Sequence, residues 1–207
     1  MGGMEDALTM ERSSGGGVAV RLFAALAVDG TSGARLVDYG DALASRVQGG
    51  RGIERDGLHV TFAFLGDVAE EAVPLVAVAL EAAAASVPGA TAISTRGIAS
   101  LDTDDVVAID LDVELLVTLD AARDRLLANL ATFAEHVDRR AWHPHVTVMH
   151  APGEHGVRSS FPTGVPDPPA ATWVADRLEL FASIPSPVGR QHRLVHSVPL
   201  GGVPVGG

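Results

Sequence analysis

Leu58-His59-Val60-Thr61-Phe62-Ala63-Phe64-Leu65-Gly66-Asp67-Val68 reads as a strand, and its opening returns as Pro144-His145-Val146-Thr147-Val148. Alternate side chains of a strand share a face, so His59 and Thr61 are expected to point one way while Val60, Phe62 and Phe64 point into a core. The second copy should behave in the same way. The histidines lie 145 − 59 = 86 residues apart, and each copy follows a helical pattern and a loop, as in a fold of two similar lobes. A lone His-x-Thr tripeptide arises easily by chance, and such a residue is more often structural. Two copies, each in a predicted strand, call for a chemical reason.

Outward from these strands, the apolar pattern alternates between the two-residue and 3.6-residue periods. Val18 to Val28 is an apolar run stopped by Asp29-Gly30, a buried strand. Thr31 to Val47 carries Leu36, Tyr39, Leu43 and Val47 at helical spacing and ends at Gly49-Gly50. Leu58 to Leu65 is a strand stopped by Gly66-Asp67, and Ala69 to Val87 an Ala-rich helix with Pro74 near its start. Strands follow over Thr91 to Leu101 and Val106 to Leu111, joined by the turn formers Asp102 to Asp105. Glu114 to Val137 is the longest helical pattern, with Leu116, Leu119, Arg123, Leu126, Leu127 and Leu130. A strand over His145 to Met149, a Pro/Gly-rich loop to Pro169, and two strands near Val174 to Ser183 and Gln191 to Leu200 close the chain. Helices are few and strands often adjacent, which favours an α+β fold with largely antiparallel sheet. The expected organisation is a flexible leader over 1–17, one folded unit over 18–200 and a short tail over 201–207.

Composition narrows the chemistry. The 207 residues contain no Cys, which removes disulfide scaffolds, thiolate metal sites and Cys nucleophiles. All 15 basic residues are Arg, so no Lys Schiff base or Lys-based phosphate loop exists. With 26 acidic residues the net charge is −11, which opposes binding to long duplex nucleic acid and leaves a short nucleotide or a chain end as a partner. The longest apolar stretch, Val73 to Val87, is interrupted by Pro74 and Glu81, and no secretory signal opens the chain. A cytoplasmic monomer without membrane contact is expected.

Two imidazoles facing each other can serve as one base and one acid near neutral pH, because an unperturbed His titrates near pH ~6.5. Two adjacent hydroxyls can donate to an anionic oxygen. This set of groups suits phosphodiester hydrolysis without a metal or other cofactor: one His takes a proton from water, and the other gives one to the leaving alkoxide. The residues alone leave open which His does which.

With its His59-Val60-Thr61 and His145-Val146-Thr147 strands, the opening Arg21-Leu22-Phe23-Ala24-Ala25 and the closing Leu178-Glu179-Leu180-Phe181-Ala182-Ser183 with Gly189, the chain resembles the two-histidine (2H) phosphoesterase superfamily. Within it, the resemblance is to the RNA 2′,3′-cyclic phosphodiesterase branch, also called the 2′-5′ RNA ligase family. The resemblance implies two pseudo-symmetric lobes of mostly antiparallel sheet with outer helices and a central cleft. It also implies His59 as the acid protonating the leaving 3′ oxygen, His145 as the base activating water, Thr61 and Thr147 as phosphate donors, and a 2′-phosphate product. The implied substrate is an RNA end or a small cyclic nucleotide.

Two positions depart from the family pattern. His150 stands where many relatives carry Arg, and His192 where Tyr is usual; His supplies less fixed charge and no forked donor. Strict alternation puts His150 on the face opposite His145 unless the strand ends or bulges first. His150, His192, Arg21 and Phe23 are candidate substrate contacts beside the two threonines, Arg21 as one source of the missing charge, with a surface or strand-edge role as its alternative.

Two other readings compete. His143, His145, His150, His155, His192 and His196 could form a metal site, but that leaves His59-x-Thr61 unexplained. A non-catalytic binding module would have no chemical need for both histidines and both threonines. His136 is expected as a partner of its helix C-terminus, and Trp142 and Trp173 as core or cleft-edge aromatics.

Overall fold

The computed structural model describes residues 19–101, 106–131, 140–151, 166–186 and 189–202. The expected leader, the 102–105 turn, His136, His155 and most of the Pro/Gly-rich loop lie outside the described residues.

The elements, in chain order, are β1 (Ala19–Ala27), α1 (Gly30–Ala44), β2 (Arg51–Gly52), β3 (His59–Ala69), α2 (Val73–Ala85), β4 (Thr91–Ile98), β5 (Val106–Val113), α3 (Leu116–Leu130), β6 (His145–His150), β7 (Thr172–Ala175), β8 (Arg177–Ser186) and β9 (Gly189–Pro199). They build one curled antiparallel sheet in the order β7-β4-β5-β6-β3-β1-β8-β9, with β2 on β6. The fold is therefore α+β, as expected. Its two halves, β7-β4-β5-β6 and β3-β1-β8-β9, meet where the two His-x-Thr strands lie side by side. Among the described residues, that junction consists of one register position, Val60 opposite Val146. Further along β6 its edge is taken by β2, with Arg51 opposite His150.

All three helices cover one face of the sheet. α1 starts at Asp29, whose carboxylate accepts from Ser32 N at 2.6 Å as an N-cap. It packs on β2 and β6, while α2 packs on β8 and β9 and α3 on β3. Gly40 of α1 lies so close to the Val148 carbonyl that a Cβ there would strike it. Between helices and sheet, Leu22, Leu26, Val60, Phe62, Ile109, Val146, Val148, Leu178 and Leu180 are essentially inaccessible to water. β1 is buried from Leu22 to Leu26 without alternation because its other face is covered too: Phe23 packs against Phe64, Phe181 and the rings of His59 and His192.

Four sequence expectations change. β3 does not stop at Gly66-Asp67 but continues to Ala69, because Gly66 takes φ 72° and the ladder with β1 accommodates an extra residue there, a bulge suited to glycine. Phe64 does not point into the core and is 49% exposed. The β1 ladder also skips Phe62, pairing Ala25 with Thr61 and Ala24 with Ala63, so the alternation changes phase and Phe64 emerges beside Phe23 on the open face. The segment read as one strand over Val174 to Ser183 is two strands in opposite halves: β7 pairs with β4 and β8 with β1, and the chain crosses at Asp176. The two-residue strand β2 was too short for its period to be seen.

Candidate active site

His59 and His145 stand at the starts of β3 and β6, each one residue before the Val60–Val146 junction, with Thr61 and Thr147 next on the same open face. Both imidazoles are held alike. His59 Nδ1 donates to the Gly57 carbonyl at 2.8 Å, and His145 Nδ1 to the His143 carbonyl at 2.7 Å. A carbonyl can only accept, so each neutral ring carries its proton on Nδ1 and keeps Nε2 as a base. Two strands thus present the same group in the same tautomer.

The bulge seen in β3 recurs in β6. β5 pairs Ala108 with Thr147 and Val107 with Met149, skipping Val148. The phase change resolves the sequence ambiguity over His150: it emerges exposed on the face of His145, as Phe64 does on that of His59. Carbonyls at and beside the skipped residues have donors outside the bulged ladders. Phe62 O accepts from Arg123 Nε at 2.9 Å, Thr61 O from Trp142 Nε1 at 2.8 Å, and Val148 O from Ile53 N at 3.0 Å. Arg123 is 4% exposed, so the helical charge read from the sequence faces the core rather than solvent.

His192 joins the pair from β9. Its ring lies 5.1 Å from His59 and 4.8 Å from Phe23, edge-on to both. Burial, opposed by the Gly57 hydrogen bond and aided by the nearby His192 and His145 rings, pushes the pKa of His59 down to about 4. Burial lowers His145 as well, against the pull of its carbonyl bond and of Asp110. His192 is lowered by burial, then by Arg190 and His150.

The structure thus gathers His59, His145, Thr61, Thr147, His192, His150 and Phe23 on one face. Arg21 shares that face by register, two residues further along β1, exposed and opposite Asp67. Sequence reading missed Arg190, which donates to Ser183 Oγ and O at 2.7 and 2.9 Å beside His192, and Phe181, stacked on Phe23 at 5.3 Å. It also missed Asp110, the cross-strand neighbour of His145. These lie on partner strands, and only pairing brings them in. A recess of about 630 Å³ lies over β4 and β5, lined by Ser94, Arg96, Asp110, Asp112, Glu114 and His143 among others, and neither His59 nor His145 lines it.

Of the residues of the histidine metal reading, His155 lies outside the described residues. His196 lies on the helix face, bound to Glu81 Oε1 at 2.9 Å, and among the described residues no three His, Asp or Glu side chains converge as metal ligands. Trp173 is a core residue donating to Ala27 O, and Trp142 packs edge-on against Phe62. Among the described residues no helix is long and apolar enough to cross a membrane.

The family model of the 2′-5′ RNA ligase superfamily matches residues 35–183. Among solved structures, LigT of E. coli complexed with NADP+ superposes with a TM-score of 0.68 at 21% identity, covering 89% of this chain and 99% of that one. The E. coli LigT complex with 3′-AMP gives 0.68 at 18%, with 88% and 98% covered. The protein TT0787 of Thermus thermophilus gives 0.65 at 23%, again with 88% and 98% covered. At such identities the likeness is one of fold. No curated protein sequence matches the chain.

Proposed function

The chain belongs to the 2′-5′ RNA ligase superfamily, and from that premise we propose that it is a phosphodiesterase that opens 2′,3′-cyclic phosphates at RNA or nucleotide ends to 2′-phosphates. The observation that carries this reading is the matched pair of imidazoles, each fixed by a carbonyl two residues back and each presenting Nε2 to one face. His145 Nε2 takes a proton from water, whose oxygen attacks phosphorus as the bond to O3′ breaks; His59, protonated, gives its Nε2 proton to that oxygen. Thr61 and Thr147 donate to the two remaining phosphoryl oxygens. One water is consumed, and the products are a 2′-phosphomonoester and a free 3′-hydroxyl.

Burial keeps free His59 neutral, so the acid is formed with the substrate: a phosphate anion beside the ring favours the imidazolium. Base, acid and oxygen donors are all supplied by side chains, and the reaction as written calls for no metal. The nucleotides in the LigT complexes, NADP+ and 3′-AMP, fit a small nucleotide or RNA end as substrate. So does the net charge of −11, which opposes long duplexes.

The test is hydrolysis of 2′,3′-cyclic AMP and of a cyclic-phosphate-ended oligoribonucleotide, with and without EDTA, locating the product phosphate by ³¹P NMR. EDTA-resistant formation of a 2′-phosphate is expected. A 3′-phosphate product, or activity abolished by EDTA and restored by a divalent metal, overturns the proposal.

A further inference from the structure

The two halves match in strand, bulge and imidazole tautomer, but they differ in what stands behind each imidazole. The carbonyl that holds His59 belongs to Gly57, which has no side chain, and the strand partner of His59 is Ala27. The carbonyl that holds His145 belongs to His143, whose Nε2 lies 2.6 Å from Asp110 Oδ1, and Asp110 is itself the cross-strand partner of His145. Arg96 meets the other Asp110 oxygen at 3.6 Å and reaches Asp112 at 3.5 Å. The His143 ring lies edge-on to His145, 5.7 Å between centroids.

We propose that Asp110, acting through His143 and steadied by Arg96, is a positioning residue for His145 and supports the charge that His145 gains during turnover; the catalytic part of this rests on the paired-histidine reading above. A carboxylate that orients a general base and stabilises its protonated form is the logic of the serine-protease triad. Here the backbone carbonyl has taken the place next to Nδ1, and the carboxylate works one residue removed. It does so by fixing the His143 ring, and hence the carbonyl on the same residue, and by its own charge one strand spacing away. Asp110 is suited to this because its side chain is 17% exposed, whereas that of Asp112 on the same arginine is 62% exposed and screened by water. The charged and titratable groups around His145 are Asp110 and, through it, Arg96 on the adjoining strands, His143 on its own segment, and His59 across the junction. Against burial, which lowers the His145 pKa, the His143 carbonyl and then Asp110 favour the protonated form, while charge on the His143 ring opposes it. Among the described residues Gly57, which has no side chain, offers His59 no such link, so the network is a difference between the two halves.

The experiment compares Asp110→Asn, Asp110→Glu and Asp112→Asn. Asp110→Asn is expected to lower kcat roughly 10-fold at nearly unchanged KM, well short of the ~10⁴-fold typical of a buried triad carboxylate, because the coupling is indirect. Its acid-side limb in kcat against pH should move to lower pH, and the ¹⁵N NMR titration of the His145 imidazole should move the same way. Asp110→Glu should restore most of both, and Asp112→Asn should leave both where they are. A folded Asp110→Asn protein with an unmoved His145 titration overturns the proposal, as does an equal shift in Asp112→Asn. The NMR readout needs no turnover. A wild-type protein that fails to open the cyclic phosphate while Asp110→Asn moves the titration would sink the reaction and leave the network standing.

Discussion

Phe62 and Val148 occupy the same place in the two halves: each lies three residues after a site histidine, and each is the residue that the neighbouring strand's ladder skips. The repetition shows that the bulge belongs to the site. By shifting the alternation it keeps His and Thr on the open face and adds a further side chain, Phe64 in one half and His150 in the other. The carbonyls of these two residues are bound by different means, a buried guanidinium at Phe62 and a backbone amide at Val148.

Replacing Arg123 by Met keeps most of the packing volume and removes the donor to Phe62 O. A buried carbonyl left without its partner costs about 1–3 kcal/mol. We expect a loss of stability of that size in urea denaturation, accompanied by lower activity because the strand carrying His59 and Thr61 loses its support. Unchanged stability would show that water or another donor replaces the guanidinium.

Gly40→Ala places a methyl group against the Val148 carbonyl. Overpacking of this kind costs roughly 1–3 kcal/mol, and here the strain falls on the second bulge. Thermal unfolding should show the destabilisation, whereas Gly97→Ala, with nothing near its Cβ position, should be mild.

His59→Gln and His145→Gln should each lose about 10²–10⁴-fold in kcat/KM towards a 2′,3′-cyclic nucleotide while remaining folded by circular dichroism. Thr61→Val and Thr147→Val should lose less, at most the ~10²–10³-fold of a missing oxyanion donor. Full activity in a folded His145→Gln protein is incompatible with the paired mechanism.

The pH dependence has a definite sign. His59 has a folded pKa of about 4, below its unfolded value, so its contribution to stability is complete above about pH 6.5 and is lost as pH falls toward 4. Wild type should lose more unfolding free energy over that interval than His59→Gln does. His192→Phe, which removes a neighbouring like charge, should raise the His59 titration measured by NMR in the free protein. Binding of a 2′-nucleotide should raise it further. A His59 ring that titrates near 6.5 in the free protein would contradict the burial argument.

Much of this architecture is legible in the chain itself. The His-x-Thr strands, the helices after Asp29 and around Pro74, and the α+β class all follow from local periodicity and turn chemistry. What escaped reading depends on pairing. A bulge exists only relative to a partner strand, so nothing in Val60-Thr61-Phe62-Ala63 tells that Phe64 faces outward. The crossing at Asp176 lacks glycine or proline, so two strands read as one. Asp110, Arg190 and Phe181 are ordinary strand residues in sequence and acquire meaning only from the strand beside them.

Because the strand ladder passes from one half to the other at Val60 and Val146 among the described residues, the two imidazoles sit at the seam of the sheet. Each histidine is one residue from that point, while Phe64 and His150 are four residues away. At ~3.3 Å per residue along a strand, Phe64 and His150 lie about 13 Å from that point and the two histidines about 3 Å from it. Changes of side chain at Phe64 and His150 therefore alter the outer walls of the open face at a distance from the pairing that spaces the two imidazoles.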